Sequence, residues 1–197
     1  MADLKSDVSQ RSSRKVHKTK LDGMLLFDLN IFDDARGSFT EVWQTEAMQE
    51  LGLPEVNPKQ LGVSRSKRGT IRAIHAEPYD KIISPLTGKI FVAMTDLRDN
   101  SPTFGEVDCF EIDNTQMLYI PSGIGNGFQA ISDEDVLYTY CTAGVWSAEK
   151  AYSGGYLAIN YMDPDLSINW PLMNEKIVSV KDESNPTMRK AFPHKYE

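Results

Sequence analysis

A chain of 197 residues can bury roughly 70% of its unfolded surface in one domain, and 41% hydrophobic with 25% charged residues is the balance of an ordinary globular protein. The formal net charge of -7 argues against nucleic acid as a general partner, because phosphate binding needs a basic footprint, although a local cluster of Lys and Arg can still focus potential inside a cleft. No apolar run nears the roughly 20 residues of a membrane span, and Cys109 and Cys141 lack the number and spacing of a disulfide framework or zinc site, so a cytoplasmic protein with no membrane partner is expected.

Residues 1–20 are polar and basic, with no hydrophobic segment after their charges, and read as a loose tail or an arm against a partner subunit. Residues 21–32 turn apolar, Asp33, Asp34, Arg36 and Gly37 mark a turn, and strand-like alternation resumes at 38–43. Residues 44–51 predict a helix carrying Ala47, Met48 and Leu51 on one face, ended by Gly52 and Pro54. From Gln60 to Trp170 short strand-like pieces follow one another, separated by turn signals such as Lys67-Arg68-Gly69, Asp113-Asn114 and Ser132-Asp133-Glu134-Asp135. Strands this frequent, without long helices between them, predict an all-β antiparallel sandwich or barrel instead of a parallel α/β sheet. Residues 171–197 are polar and punctuated by proline, and predict a short helix and an irregular tail packed on the barrel. No linker divides the chain, so residues 21–197 are read as one domain.

The glycine-rich stretch at 123–127 lacks the spacing and the Lys-Ser/Thr of a phosphate loop and reads as a turn between strands; Ser153-Gly154-Gly155 is a weaker candidate still. Of three histidines, His17 and His194 sit in polar terminal segments and read as surface residues. His75 ends an apolar run in which alternation places Ile71, Ala73 and His75 on one face, making it either a satisfied core group or the base of a pocket. A histidine-held metal needs about three convergent ligands, and His75 stands alone on its strand, so no metal is expected.

Several segments, in one order, carry a family resemblance: Asp34 to Phe39 with Glu41, Gly69 to Lys81, Gly88 to Arg98, Ser101 to Gly105, Tyr119 to Gln129, Tyr161 to Pro171 and Ser179 to Pro186. Over residues 21–186 the chain resembles the dTDP-4-dehydrorhamnose 3,5-epimerases, double-stranded β-helix (jelly-roll) proteins of the cupin type. The resemblance implies a homodimer that exchanges strands and acts, without metal or organic cofactor, on a dTDP-linked 4-keto-6-deoxyhexose, supplying rhamnose for a surface polysaccharide. It places the catalytic base on His75, its carboxylate partner on Asp163 and a cation for the enolate on Lys81 or Arg72. Substrate contacts fall on Arg36, Phe39, Glu41, Gln60, Arg72, Tyr119, Asn126 and Tyr140. The chemistry is coherent. A ketone at C4 acidifies the hydrogens at C3 and C5, a neutral imidazole with a reference pKa near 6.5 suits their removal, and a carboxylate on the other ring nitrogen fixes the tautomer. Asp163 also reads as a turn residue before Pro164, and Lys81 as an exposed charge.

The chain departs from the family where a tyrosine reprotonates the ring. Carried through without gaps, the resemblance puts that tyrosine on Val145, and the neighbouring Trp146 is no acid. Three readings stay open: Tyr138, Tyr140 or Tyr152 supplies the hydroxyl; water protonates, giving a slower enzyme or one that inverts only C3; or the activity is altered or lost, leaving a protein that binds sugar nucleotides without turning them over. Asn126, where the family commonly has a second histidine, matches a branch that also has the His-Ala-Glu-Pro-aromatic-Asp-Lys motif, and Gly62 replaces an asparagine.

Overall fold

The computed structural model describes residues 8–152 and 156–197; Ser153-Gly154-Gly155 and the Tyr152 side chain lie outside the described set. The strands are β1 (Ser9–Ser12), β2 (Lys15–Lys18), β3 (Leu25–Asp28), β4 (Asn30–Asp34), β5 (Gly37–Glu41), β6 (Gln60–Ser66) and β7 (Ile71–Ala76). They continue as β8 (Lys81–Thr87), β9 (Lys89–Asp96), β10 (Val107–Asp113), β11 (Gln116–Ile120), β12 (Ile124–Ala130), β13 (Val136–Thr142) and β14 (Leu157–Ala158). Two large sheets, ordered β10-β9-β12-β7-β14 and β2-β3-β11-β8-β13-β6, are antiparallel throughout. They face each other across a core in which Val92, Met94 and Phe128 of one meet Ile83, Leu118 and Tyr138 of the other, and Phe128 stacks on Tyr138 at 4.4 Å. This is the double-stranded β-helix that the resemblance implied.

Both sheets are covered on their outer faces as well, which is why β12 is buried at every residue and β8 from Lys81 to Pro85, with no in–out alternation. Helix α1 (Thr45–Glu50), capped by the Gln44 side chain accepting from Ala47 N, buries Met48 against Phe27, Ile82 and Met117. The C-terminal tail covers the other sheet: Trp170, Met188 and Phe192 pack on Ile71, Ala73 and Ala93. In it, helices α3 (Val180–Glu183) and α4 (Met188–Ala191) are single turns, following α2 (Ala148–Tyr152).

Within the N-terminal segment, residues 9–18 are more ordered than their composition signals. Strand β1 pairs with β4 and β2 pairs with β3, and β1, β4 and β5 form a separate small sheet. The glycine stretch is also corrected. Gly123 takes the turn at φ 82, but Gly125 and Gly127 lie inside the central strand β12. A Cβ on Gly125 would stand 2.5 Å from Ile74, and one on Gly127 would stand 2.8 Å from the Ala73 side chain. Both glycines make room for a bulge in β7. There Asn126 opposes His75 and Phe128 opposes Arg72, so three steps on β7 span two on β12. The bulge breaks the expected alternation: Ala73 points into the outer core, and Arg72 and His75 come to the same side.

Candidate active site

A cleft of about 760 Å³ opens at the edge shared by the two sheets. One wall is β7 with α3 behind it; the other is β6 and β13. His75 lies on its floor, half-buried, with Nε2 2.7 Å from Asp182 Oδ1. Asp182 is buried in the first turn of α3, where the Ser179 side chain accepts its backbone N–H at 3.1 Å. In a Ser-x-x-acid capping pattern the acid usually reaches back to the cap; here it reaches across to the histidine. Burial pushes the Asp182 carboxyl up, but the hydrogen bond and charge of His75, with the Ala73 backbone, outweigh it and hold the group below the usual carboxylate value. An ionised carboxylate only accepts, so Nε2 carries the proton and the lone pair sits on the other ring nitrogen.

The expectation that Asp163 fills this role is overturned. Asp163 is buried, yet its carboxylate accepts the backbone N–H groups of Met188 at 2.6 Å and Asp165 at 2.8 Å. It is the turn residue before Pro164 that its position also suggested, and it ties α4 to the chain leaving β14. Tyr119 is corrected too. Strand β11 sends Leu118 and Ile120 into the barrel and Tyr119, with Met117, to the outer core, where its hydroxyl donates to Asp80 at 2.9 Å. Asn126 sits across from His75 but is buried away from the cleft, donating to the Tyr138 hydroxyl at 3.2 Å. Lys81 is buried beside the cleft wall. Its ammonium pairs with Glu77, which does line the cleft, and reaches the His75 carbonyl at 3.5 Å.

Gln60, Arg72 and Tyr140 do line the cleft. Gln60 accepts the Trp146 N–H at 2.7 Å, Arg72 donates to Ser66 at 3.1 Å, and the Tyr140 hydroxyl lies 3.1 Å from Ser64 Oγ. The structure does not bring Arg36, Phe39 and Glu41 to the cleft of their own chain. They lie on the β4–β5 hairpin, where Arg36 pairs with Asp34, Phe39 stacks on Phe32 and Glu41 takes the Arg14 guanidinium at 2.6 Å. The Val145 side chain is exposed and lines nothing there, whereas Trp146 does.

Sequence reasoning missed Asp182, Glu77, Tyr156 and the cations Arg65, Lys67 and Lys181, which with Arg72 make this cleft basic in an acidic protein. The Ser179-to-Asp182 spacing was the available signal for the first of these. Among the described residues, no group of three or more His, Cys, Asp or Glu side chains converges to hold a metal ion.

The arrangement is a histidine–aspartate pair at the bottom of a cationic cleft, able to move a proton and to bind an anion. A family model described as dTDP-4-dehydrorhamnose 3,5-epimerase matches residues 18–190. A protein named RmlC homolog from Streptococcus pyogenes is 36% identical over 181 residues, covering 89% of this chain and 90% of that one. A dTDP-4-dehydrorhamnose 3,5-epimerase from Methanothermobacter thermautotrophicus is 36% identical over 179 residues, covering 87% and 93%. The structure of RmlC from Streptococcus suis in complex with dTDP-D-xylose superposes with a TM-score of 0.85 at 36% identity, covering 91% of this chain and 94% of that one. The chain belongs to the dTDP-4-dehydrorhamnose 3,5-epimerase family.

Proposed function

We propose that this protein epimerises a dTDP-linked 4-keto-6-deoxyhexose by proton transfer at the carbons beside the ketone, with His75 as base and Asp182 as the group that orients it. The observation that carries this reading is the 2.7 Å His75–Asp182 bond on the cleft floor. His75 takes a proton from C3 or C5, and the C–H electron pair moves into an enolate on O4. Asp182 stabilises the imidazolium that results. Of the two expected enolate cations, Arg72 and Lys81, it is Arg72 that lines the cleft and favours the enolate. Lys81, locked between Glu77 and the His75 carbonyl, steadies the strand end that carries the base. Arg65, Lys67 and Lys181 at the same cleft suit a diphosphate.

The working unit in this reading is a homodimer that exchanges strands. Strand β6 is an edge of its sheet, with Leu61 70% and Val63 58% exposed, and the β4–β5 hairpin presents Phe39 64% exposed beside Arg36. An unpaired apolar edge and an apolar hairpin face are complementary. Adding the partner's β5 to β6 brings a second copy of Arg36, Phe39 and Glu41 toward the cleft that β6 lines. A cytoplasmic setting fits the two free cysteines.

Incubation with dTDP-4-keto-6-deoxyglucose in deuterated water tests the reaction. Deuterium is expected at C3 and C5 of the epimerised product, read separately by NMR. His75→Asn is expected to fold and to exchange neither position; an unaltered exchange rate in that variant assigns the base elsewhere.

A further inference from the structure

A glycine inside a strand weakens it and leaves no side chain to pack, so its place there needs a physical reason. Every described glycine except Gly62 has one. It either takes a positive φ or, as at Gly125, Gly127 and Gly144, lies so close to a neighbour that a Cβ would stand 2.5, 2.8 and 2.1 Å from another side chain. Gly62 has neither constraint. It lies inside β6, and beyond its chain neighbours the one described atom that a Cβ would meet within 4 Å is Cδ2 of Tyr140, at 4.0 Å. Such a glycine marks a close approach by something other than its own fold.

The open space belongs to the cleft. Gly62 lines it, and alternation along β6 sets Gln60 and Ser64 on the same side, both of them cleft residues. The intervening Leu61 and Val63 are the exposed pair that the proposed dimer covers. On the neighbouring strand β13, Tyr140 is the residue opposite Gly62. The Gln60 side-chain carbonyl accepts the Trp146 N–H at 2.7 Å, so its amide is left with donors to offer. Ser64 Oγ stands 3.1 Å from the Tyr140 hydroxyl. This wall therefore presents an apolar step, the Gly62 Cα beside the Tyr140 ring, between two polar groups. A pyranose has the matching pattern, with C–H groups across its face and hydroxyls around its edge. A diphosphate does not; its cations, Arg65, Lys67 and Arg72, are other residues of the cleft.

We propose, resting on the epimerase reading for the identity of the ligand, that Gly62 is a specificity-determining residue. Its bare Cα lets the hexose ring of the sugar nucleotide close directly against β6, beside Tyr140, on the wall that faces His75. Any side chain at this position stands where the sugar goes, although the folded chain itself has room for it.

Gly62→Ala and Gly62→Val in the full-length protein test this by calorimetric binding. The probe is dTDP-glucose, which has no C4 ketone to acidify its ring hydrogens and so binds without reacting; dTDP alone is the control. Gly62→Ala is expected to weaken dTDP-glucose about tenfold and Gly62→Val about 100-fold, with dTDP held within about twofold of the parent by both. The melting temperature of Gly62→Ala is expected at or above the parent's, because alanine costs less chain entropy and meets no clash. Parental affinity of Gly62→Ala for dTDP-glucose overturns the assignment. An equal loss for dTDP and dTDP-glucose also overturns it and gives the space to the nucleotide. A lowered melting temperature or an altered sedimentation coefficient in Gly62→Ala overturns it as well, since the space then serves the fold or a partner chain. Proton exchange is the separate arm. A parent that binds dTDP-glucose more tightly than Gly62→Ala does, yet exchanges no hydrogen of dTDP-4-keto-6-deoxyglucose in deuterated water, overturns the epimerase reading and leaves Gly62 assigned to the hexose. A parent that binds neither nucleotide overturns both.

Discussion

The Asp182 carboxylate accepts the Nε2–H of His75 at 2.7 Å across 107 residues of sequence, joining a strand of the barrel to a single-turn helix of the C-terminal tail. The tail therefore completes the site as well as covering the sheet. Replacing Asp182 by Asn lets the amide present either its oxygen or its N–H to the ring and so loses control of the tautomer. Turnover is expected to fall on the order of 1,000-fold with little change in KM or in the folded state. Asp163→Asn supplies the contrast. It leaves the buried Met188 N–H poorly satisfied and should cost about 1–3 kcal/mol of stability, with kcat of the folded enzyme unchanged. Steady-state kinetics and thermal unfolding on both variants decide between the two aspartates.

The dimer proposal predicts complementation. In its own chain Arg36 lies on the β4–β5 hairpin, paired with Asp34 and away from the cleft. Arg36→Ala and His75→Asn homodimers should each be inactive or severely impaired. Unfolding and refolding them together should produce mixed dimers in which one cleft has an intact His75 and receives an intact Arg36 from the other chain. That cleft recovers parental turnover. No gain on mixing would sink strand exchange as the source of Arg36.

The barrel was legible because period-two alternation and turn residues survive in the exposed strands, and His75 was legible as a histidine in an apolar run. Asp182 was not, since an acid three residues after a serine carries the same signature whether it caps a helix or orients a base. Tyr119 misled for the opposite reason. An aromatic in a strand buried on both faces gives no hint of which face it takes, and β11 sends it outward. The shared side of Arg72 and His75 contradicts simple alternation, and its cause lies on another strand, in the missing side chains of Gly125 and Gly127. Arg36, Phe39 and Glu41 resembled site residues in sequence, but the β4–β5 hairpin that carries them lies away from the cleft of its own chain.

Those glycines make the third prediction. Gly127→Ala puts a methyl carbon 2.8 Å from the Ala73 side chain and 3.3 Å from Ile74, inside the β7 bulge. The backbone there must shift, and overpacking of this kind costs about 1–3 kcal/mol. Because the same bulge turns Arg72 and His75 to one side, kcat should fall more than the lost stability explains. Measuring kcat well below the melting temperature isolates that part, and a folded variant of parental kcat would detach the bulge from catalysis.

Asp96 contributes to acid stability. It is fully buried and accepts from Arg98 at 2.6 Å, Ser101 at 2.5 Å and Thr103 at 2.6 Å, closing the 96–103 loop. Burial pushes its carboxyl up, but those donors prevail and hold it down at about 2, against an ordinary 3.8. A carboxyl lowered in the folded state contributes stability at pH values above its unfolded pKa. That contribution fades as pH falls from the ordinary value through the folded one, between about pH 4 and pH 2, and amounts to about 2 kcal/mol near neutrality. Asp96→Asn should lose at least this much at pH 7, since the Arg98 charge is then left without its carboxylate. It should also flatten the acid limb of the stability curve over the same window. Urea unfolding at pH 7 and at pH 2.5 gives both quantities, and an unchanged acid limb in the variant would assign the sensitivity to other carboxylates.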